Sequence, residues 1–304
     1  MQHQMNSCRR LHHCRMEIFL WEEINSILLH RRKLPGHIGH KVISRLRNGF
    51  FESAASRMNL GRGMIVLLTD FGQSEYVGVM KGMVCSIAHD ANVVDLCHEI
   101  SPQNIIEASW ILKNNYKYFP QGAIFCCVVD PGVGTKRKAL AVKTDKYYFV
   151  GPDNGLLWET LKEQRIVDIR HLVIPKDTSR TFHGRDVFAK AAANIDTGKF
   201  ESIGKKIRKI KKLELYKRAR EGIVVRIDNF GNIITNLAKQ KKDRYSVRVG
   251  RKSYMLKFFS NYQSAKKDEL FLIEGSCGTL EISLKNGSAN NRLQVKVGDR
   301  VKIS

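Results

Sequence analysis

The chain has 304 residues, 43% hydrophobic and 27% charged, which is ample for a large core and more natural for two domains than for one. No apolar run approaches the ~18 residues needed to span a bilayer, and none of the seven cysteines forms a C-x-x-C pair. A membrane span, a disulfide framework and a zinc site are therefore not expected, and a reducing cytoplasm fits best. A formal net charge of +23 makes nucleic acid the first partner class to weigh, because Lys and Arg that neutralise phosphates drive nonspecific binding.

Residues 1–63 read as an appended extension. They hold nine Arg against two Lys and six of the ten histidines, whereas Lys dominates later. A helix over residues 16–30 is amphipathic but has no catalytic spacing. No long apolar segment suggests a secretory signal, and Glu17, Glu22 and Glu23 count against a transit peptide. Met64 stands just before the first strong strand, so whether residues 1–63 are translated stays open.

From Met64 onward, short apolar strands alternate with helical periods, the pattern of a mostly parallel sheet flanked by helices. Strands are expected over residues 65–68, 93–96, 123–129, 139–143, 147–150 and 166–169, and helices over 77–88, 105–118, 155–162 and 186–197. The strands 139–143 and 147–150 join tightly as a hairpin. A basic run from Lys205 to Arg220 has few aromatics for base stacking and reads as a solvated connector. Beyond it come short strands over 222–227, 233–237, 246–249, 253–258, 270–273, 280–283 and 300–303 with glycine turns, which predict a small antiparallel β barrel or sandwich. The expected domains are thus 64–212 (α/β), a basic linker at 213–220, and a β-barrel domain over 221–304.

Five corners share one grammar, polar residues and glycine following a strand: residues 69–72, 130–137, 151–155, 182–186 and 228–232. In the second, Asp130 follows a strand buried on both faces, Gly132 and Gly134 allow close backbone approach, and Arg137 can fold back on the carboxylate. Ligands bind at such strand ends in open α/β sheets.

Together with residues 274–289, these corners resemble the S-adenosyl-L-methionine hydrolases, also called S-adenosyl-L-methionine hydroxide adenosyltransferases, the hydrolytic relatives of the fluorinating and chlorinating enzymes. The likeness runs in order through residues 64–304. It implies displacement at the 5′ carbon of S-adenosyl-L-methionine by water or hydroxide, giving adenosine and L-methionine. No cofactor is implied, since S-adenosyl-L-methionine is the substrate, and no metal. The family's Asp-Arg-His trio falls on Asp130, Arg137 and His183. A carboxylate can accept a hydrogen bond from water, a guanidinium can hold that carboxylate ionised, and an imidazole can complete the water's orientation or share its proton. Which one takes the proton is left open. By the same resemblance Asp70 binds the ribose hydroxyls, and Asp228 and Asn232 meet the methionine ammonium and carboxylate with help from Ser276. Backbone groups of the loop from Asn286 to Ala289 read the adenine. Arg185 and Asp186 are expected to brace their loop and cap the next helix, and His98 to make a loop hydrogen bond. Family members are homotrimers that hold substrate between the first domain of one subunit and the second domain of its neighbour.

Two rivals remain. One is a halogenase, but those relatives resemble this chain less at the decisive position, carrying tyrosine where Asp130 stands. A carboxylate there would repel a halide. The other is a basic nucleic-acid-binding protein that keeps the fold without the activity.

Overall fold

The computed structural model describes residues 63–304 apart from Arg251. The expected extension over residues 1–63, with its helix over 16–30, lies outside the described residues except for Gly63. Residues 62–304 form one compact unit.

The first half builds a seven-stranded sheet. Its strands are β1 (Met64–Thr69), β2 (Asn92–Cys97), β3 (Ile124–Val128), β4 (Ala139–Thr144), β5 (Tyr148–Pro152), β6 (Ile166–Leu172) and β7 (Gly204–Lys206), in the order β2-β1-β3-β5-β4-β6-β7. β2, β1, β3 and β5 run parallel, whereas β4 pairs antiparallel with both β5 and β6. The tight connection after β4 makes the expected hairpin.

β3 is apolar throughout because both of its faces are covered. Ile124, Cys126 and Val128 join a core with Val77, Met80 and Val84 of α1 (Glu75–Ile87) and Ala191 to Ala193 of α4 (Lys190–Asp196). Phe125, Cys127 and Val129 join the opposite core with Ala108, Ile111 and Leu112 of α2 (Ile105–Asn115) and Leu161 of α3 (Trp158–Leu161). Phe125 and Phe149 stack there at 5.3 Å, both fully buried. Each such side chain contributes roughly 1.5–3 kcal/mol by leaving water. The helix expected over 186–197 starts earlier, as a π-helical turn over Gly184–Ala189 that runs into α4.

The second half is a closed barrel of β8 (Glu221–Ile227), β9 (Ile233–Thr235), β10 (Arg244–Val249), β11 (Lys252–Phe258), β12 (Leu270–Glu274), β13 (Leu280–Leu284) and β14 (Arg300–Ile303). All but one of its pairs are antiparallel. β11 and β12 run parallel, because residues 259–269 between them are long enough to cross over rather than turn back. A short helix, α5 (Ala289–Leu293), follows β13.

The basic run is more than a solvated connector. Lys205 and Lys206 lie in β7, paired to β6. Ile207, Ile210 and Leu213 then recur every third residue and turn inward between exposed basic side chains, with Ile207 and Ile210 on the core and Leu213 against Gly155. Asp153 and Glu159 accept the backbone N–H groups of Lys211 and Leu215. The barrel also meets α2 directly, through Trp110 against Ile223 and Val225 and through Glu107 Oε1, 3.8 Å from Arg226 Nε.

Candidate active site

The parallel strands end together, and three of the polar corners gather at those ends. Asp70 follows β1, Asp130 follows β3, and Asp153 follows β5. Asp130 and Arg137 close into a forked pair: Arg137 Nε donates to Asp130 Oδ1 and Oδ2 at 2.9 and 3.0 Å, and Nη2 donates to Oδ2 as well. The same Nη2 lies 2.8 Å from His183 Nδ1. All three sequence-predicted residues thus form one connected cluster, and His183 is only 5% exposed.

Two loop contacts hold the cluster together. Gly134, at φ +73°, presses against the loop before His183, so that an added Cβ would lie 2.3 Å from the Arg180 carbonyl oxygen. The Arg137 guanidinium also rests over the Phe188 ring at 5.2 Å, on the π-helical turn that His183 opens.

An arginine is always a donor, so His183 Nδ1 must accept from Arg137 and its neutral ring carries the proton on Nε2. Burial, and then the Arg137 charge, push the His183 pKa below its ordinary value. The imidazole therefore offers an N–H rather than a basic nitrogen. Arg137 Nη1 is buried with no hydrogen-bond partner among the described residues, a donor left over for something bound.

Asp70 lies close enough to Asp130 for their charges to interact; burial first, and Asp130 last among its causes, raise its pKa. Its Oδ2 accepts the Gln103 backbone N–H at 2.8 Å. Sequence reasoning missed Gln103, which stands at φ +64° without being glycine or asparagine and so carries no recognisable signal. His98 makes the expected loop bond, with Nδ1 2.8 Å from Thr69 Oγ1, and its Nε2 lies 3.0 Å from Asp95. Arg185 and Asp186 pair, and Asp186 accepts the Ser179 N–H, so they brace the loop. They do not cap the helix: its first residues follow His183 with no side-chain cap, because the Asp186 carboxylate is already committed to Arg185 and Ser179. Phe182 packs edge-on against Phe71 and Tyr76, which joins the Asp70 and His183 loops through an aromatic rim.

The remaining expected residues stand on the barrel. Asp228 Oδ1 accepts from the backbone N–H groups of Phe230 and Asn232, and its Oδ2 from Asn232 Nδ2. Ser276 is exposed in the turn between β12 and β13. Asn286 sits exposed at φ +57°, and Ala289 is buried at the start of α5, where Ser288 caps the helix by accepting the Asn291 N–H. Gly231 packs directly on Ser288, which ties the Asp228 loop to the Asn286–Ala289 loop. Among the described residues, no hydrogen bond or ion pair joins this barrel set to Asp70, Asp130, Arg137 or His183. No group of three or more His, Cys, Asp or Glu among them is placed to hold a metal ion.

Two family models match the chain in succession: the SAM hydroxide adenosyltransferase N-terminal domain over residues 65–204 and its C-terminal domain over 222–302. The chain is 36% identical over 259 residues to the (R)-S-adenosyl-L-methionine hydrolase of Methanocaldococcus jannaschii, covering 79% of this chain and 95% of that one. It is 34% identical over 256 residues to the enzyme of the same name from Thermus thermophilus, covering 79% and 98%. A crystal structure of an uncharacterized conserved protein from Thermotoga maritima superposes with a TM-score of 0.73 at 37% identity, covering 79% of this chain and all of that one. With both models matched in order, on the same two halves that carry the polar corners, the chain belongs to the SAM hydroxide adenosyltransferase family.

Proposed function

We propose that this protein hydrolyses S-adenosyl-L-methionine to adenosine and L-methionine. The carrying observation is the closed Asp130-Arg137-His183 cluster at the ends of the parallel strands. In the reaction, the water oxygen bonds to the 5′ carbon as the bond to sulfur breaks, and the electron pair leaves with a neutral thioether. No acid is needed at the leaving group; the demand is for a positioned and deprotonated water. His183 Nε2–H donates to the water oxygen, and with Nδ1 already occupied by Arg137 the proton passes to Asp130. Arg137 orients both.

Asp70 binds the ribose hydroxyls. Asp228, Asn232 and Ser276 bind the methionine half, and backbone groups from Asn286 to Ala289 bind the adenine. That no hydrogen bond or ion pair among the described residues joins these two sets supports a homotrimer in which neighbouring subunits complete each site; the chain then divides into an α/β domain over 64–212, a linker at 213–220 and a barrel domain over 221–304. No helix among the described residues is long and apolar enough to cross a membrane, and the buried free thiols of Cys126 and Cys127 agree with work in a reducing cytoplasm.

The test is chromatography after incubation with S-adenosyl-L-methionine, with and without concentrated chloride or fluoride. Adenosine is the expected product in every arm. A 5′-halo-5′-deoxyadenosine as main product would make it a halogenase, and heparin affinity lost in moderate salt with no adenosine formed would favour the nucleic-acid reading.

A further inference from the structure

The segment that joins sheet to barrel carries a charge that the molecule leaves largely unmatched. Residues 205–220 hold nine Lys and Arg against one acid, Glu214, and all nine basic side chains are exposed. Among the described residues, Lys206 alone of the nine has a carboxylate within ion-pair distance, Asp168 at 3.7 Å. So many like charges on one short segment repel each other unless something outside the chain neutralises them.

The segment is built rather than loose. Ile207, Ile210 and Leu213 turn inward at every third position, which leaves the pairs Lys205–Lys206, Arg208–Lys209 and Lys211–Lys212 outside. An extended chain of three residues per turn rises about 3.1 Å per residue, so the pairs repeat roughly every 9 Å along a track of about 20 Å. β7 holds one end through its pairing with β6, and the Asp153 and Glu159 carboxylates hold the backbone at Lys211 and Leu215. The charges are thus ordered before any partner arrives, and little is lost in ordering them on binding.

A fixed line of positive pairs fits a linear polyanion. A lipid surface fits poorly, because Ile207, Ile210 and Leu213 face inward and leave nothing apolar to insert. Base stacking is closed off as well: Lys212 covers the Trp158 ring at 4.6 Å, and Arg300 covers that of Tyr216 at 3.1 Å. What is left to bind is a phosphate backbone, whose dense charge releases condensed counterions when lysines and arginines replace them.

We propose that residues 205–212 are a docking surface for the phosphodiester backbone of a duplex nucleic acid, bound without regard to sequence. None of these residues belongs to the proposed active site, and the inference does not rest on the hydrolase reading.

The experiment follows the anisotropy of labelled duplexes of about 20 base pairs, one DNA and one RNA, each in two unrelated sequences, as the full chain is added at salt from about 50 to 200 mM. Binding is expected to ignore sequence and to fall steeply with salt, and the stronger arm tells which duplex the track fits. Arg208→Gln, Lys209→Gln and Lys211→Gln together should weaken it about 10- to 100-fold and lower the slope of log affinity against log salt by about 2 to 3. A control with the same charge change at exposed lysines on barrel loops, Lys241→Gln, Lys242→Gln and Lys267→Gln, should move both far less. Both variants should keep the parental kcat and KM for S-adenosyl-L-methionine. No duplex binding at the lowest salt overturns the proposal. So does equal weakening by the control, the mark of net charge alone, or an unchanged slope in the first variant, which puts the contact elsewhere in the chain. Tighter binding to phosphatidylserine vesicles or to poly-L-glutamate than to the duplexes overturns the choice of partner. Adenosine formation is followed in the same samples, so its absence would sink the hydrolase reading and leave this surface standing.

Discussion

Because Arg137 Nη2 donates to His183 Nδ1, the proposed reaction gives different roles to two residues that sequence alone left equivalent. Asp130 becomes the only member of the cluster with a free basic lone pair. Asp130→Asn should therefore lower kcat by roughly 10²- to 10⁴-fold, the usual range for a lost general base, with KM little changed. A variant that raises KM and spares kcat would mean that the carboxylate chiefly attracts the sulfonium cation. Near-parental kcat would remove Asp130 from the mechanism. These three residues were legible because each lies in a corner where polar residues and glycine punctuate a strand. Gln103 was not, because it acts through its backbone and leaves no side-chain signal.

Among elements, the glycine loop after β3 and the segment leading to His183 meet at a hard backbone contact. Gly134 at φ +73° meets the Arg180 carbonyl, whereas Gly198 at φ +80° has nothing within 4 Å of its missing Cβ. Both positions penalise alanine by about 1–2 kcal/mol for the left-handed backbone alone. Only Gly134→Ala must also push the two loops apart. It should lose more stability in denaturant titrations than Gly198→Ala and reduce kcat as well, while Gly198→Ala keeps full activity; equal behaviour of the two would show that the contact does not set the site. The sheet, the hairpin and the barrel strands followed from periodicity, since apolar residues on two covered faces leave a strong pattern. The early π-helical start at Gly184 did not, since the turn, whose Val187 and Phe188 pack into the core, carries no local signal that tells π from α. β7 was hidden too: three residues, two of them lysine, pair at the sheet edge without an apolar signature.

At the scale of the whole molecule, nine of the 52 Lys and Arg residues lie on a strap whose apolar residues bind it down every third position. The strap joins sheet to barrel and is itself pinned by Asp153 and Glu159, so its lysines are the outer face of a packed segment. The sheet it crosses has its own recorder. Cys126 and Cys127 are neighbours on the central strand β3, fully buried, yet one looks into each of the two apolar layers. Burial pushes the Cys126 thiol up to about 12 and that of Cys127 well above its ordinary value, so neither ionises while the layers stay shut. A thiol reagent followed by mass spectrometry then works as a pair of clocks, one per layer. Equal labelling rates at the two sites would mean that the strand comes free of both layers in one event. Since the first layer carries α1 and α4 and the second α2 and α3, earlier labelling of Cys126 would mean that the side bearing the His183 turn lifts off while the other still holds, and that is the expected order, because the long Phe125 stack with Phe149 keeps the second layer closed.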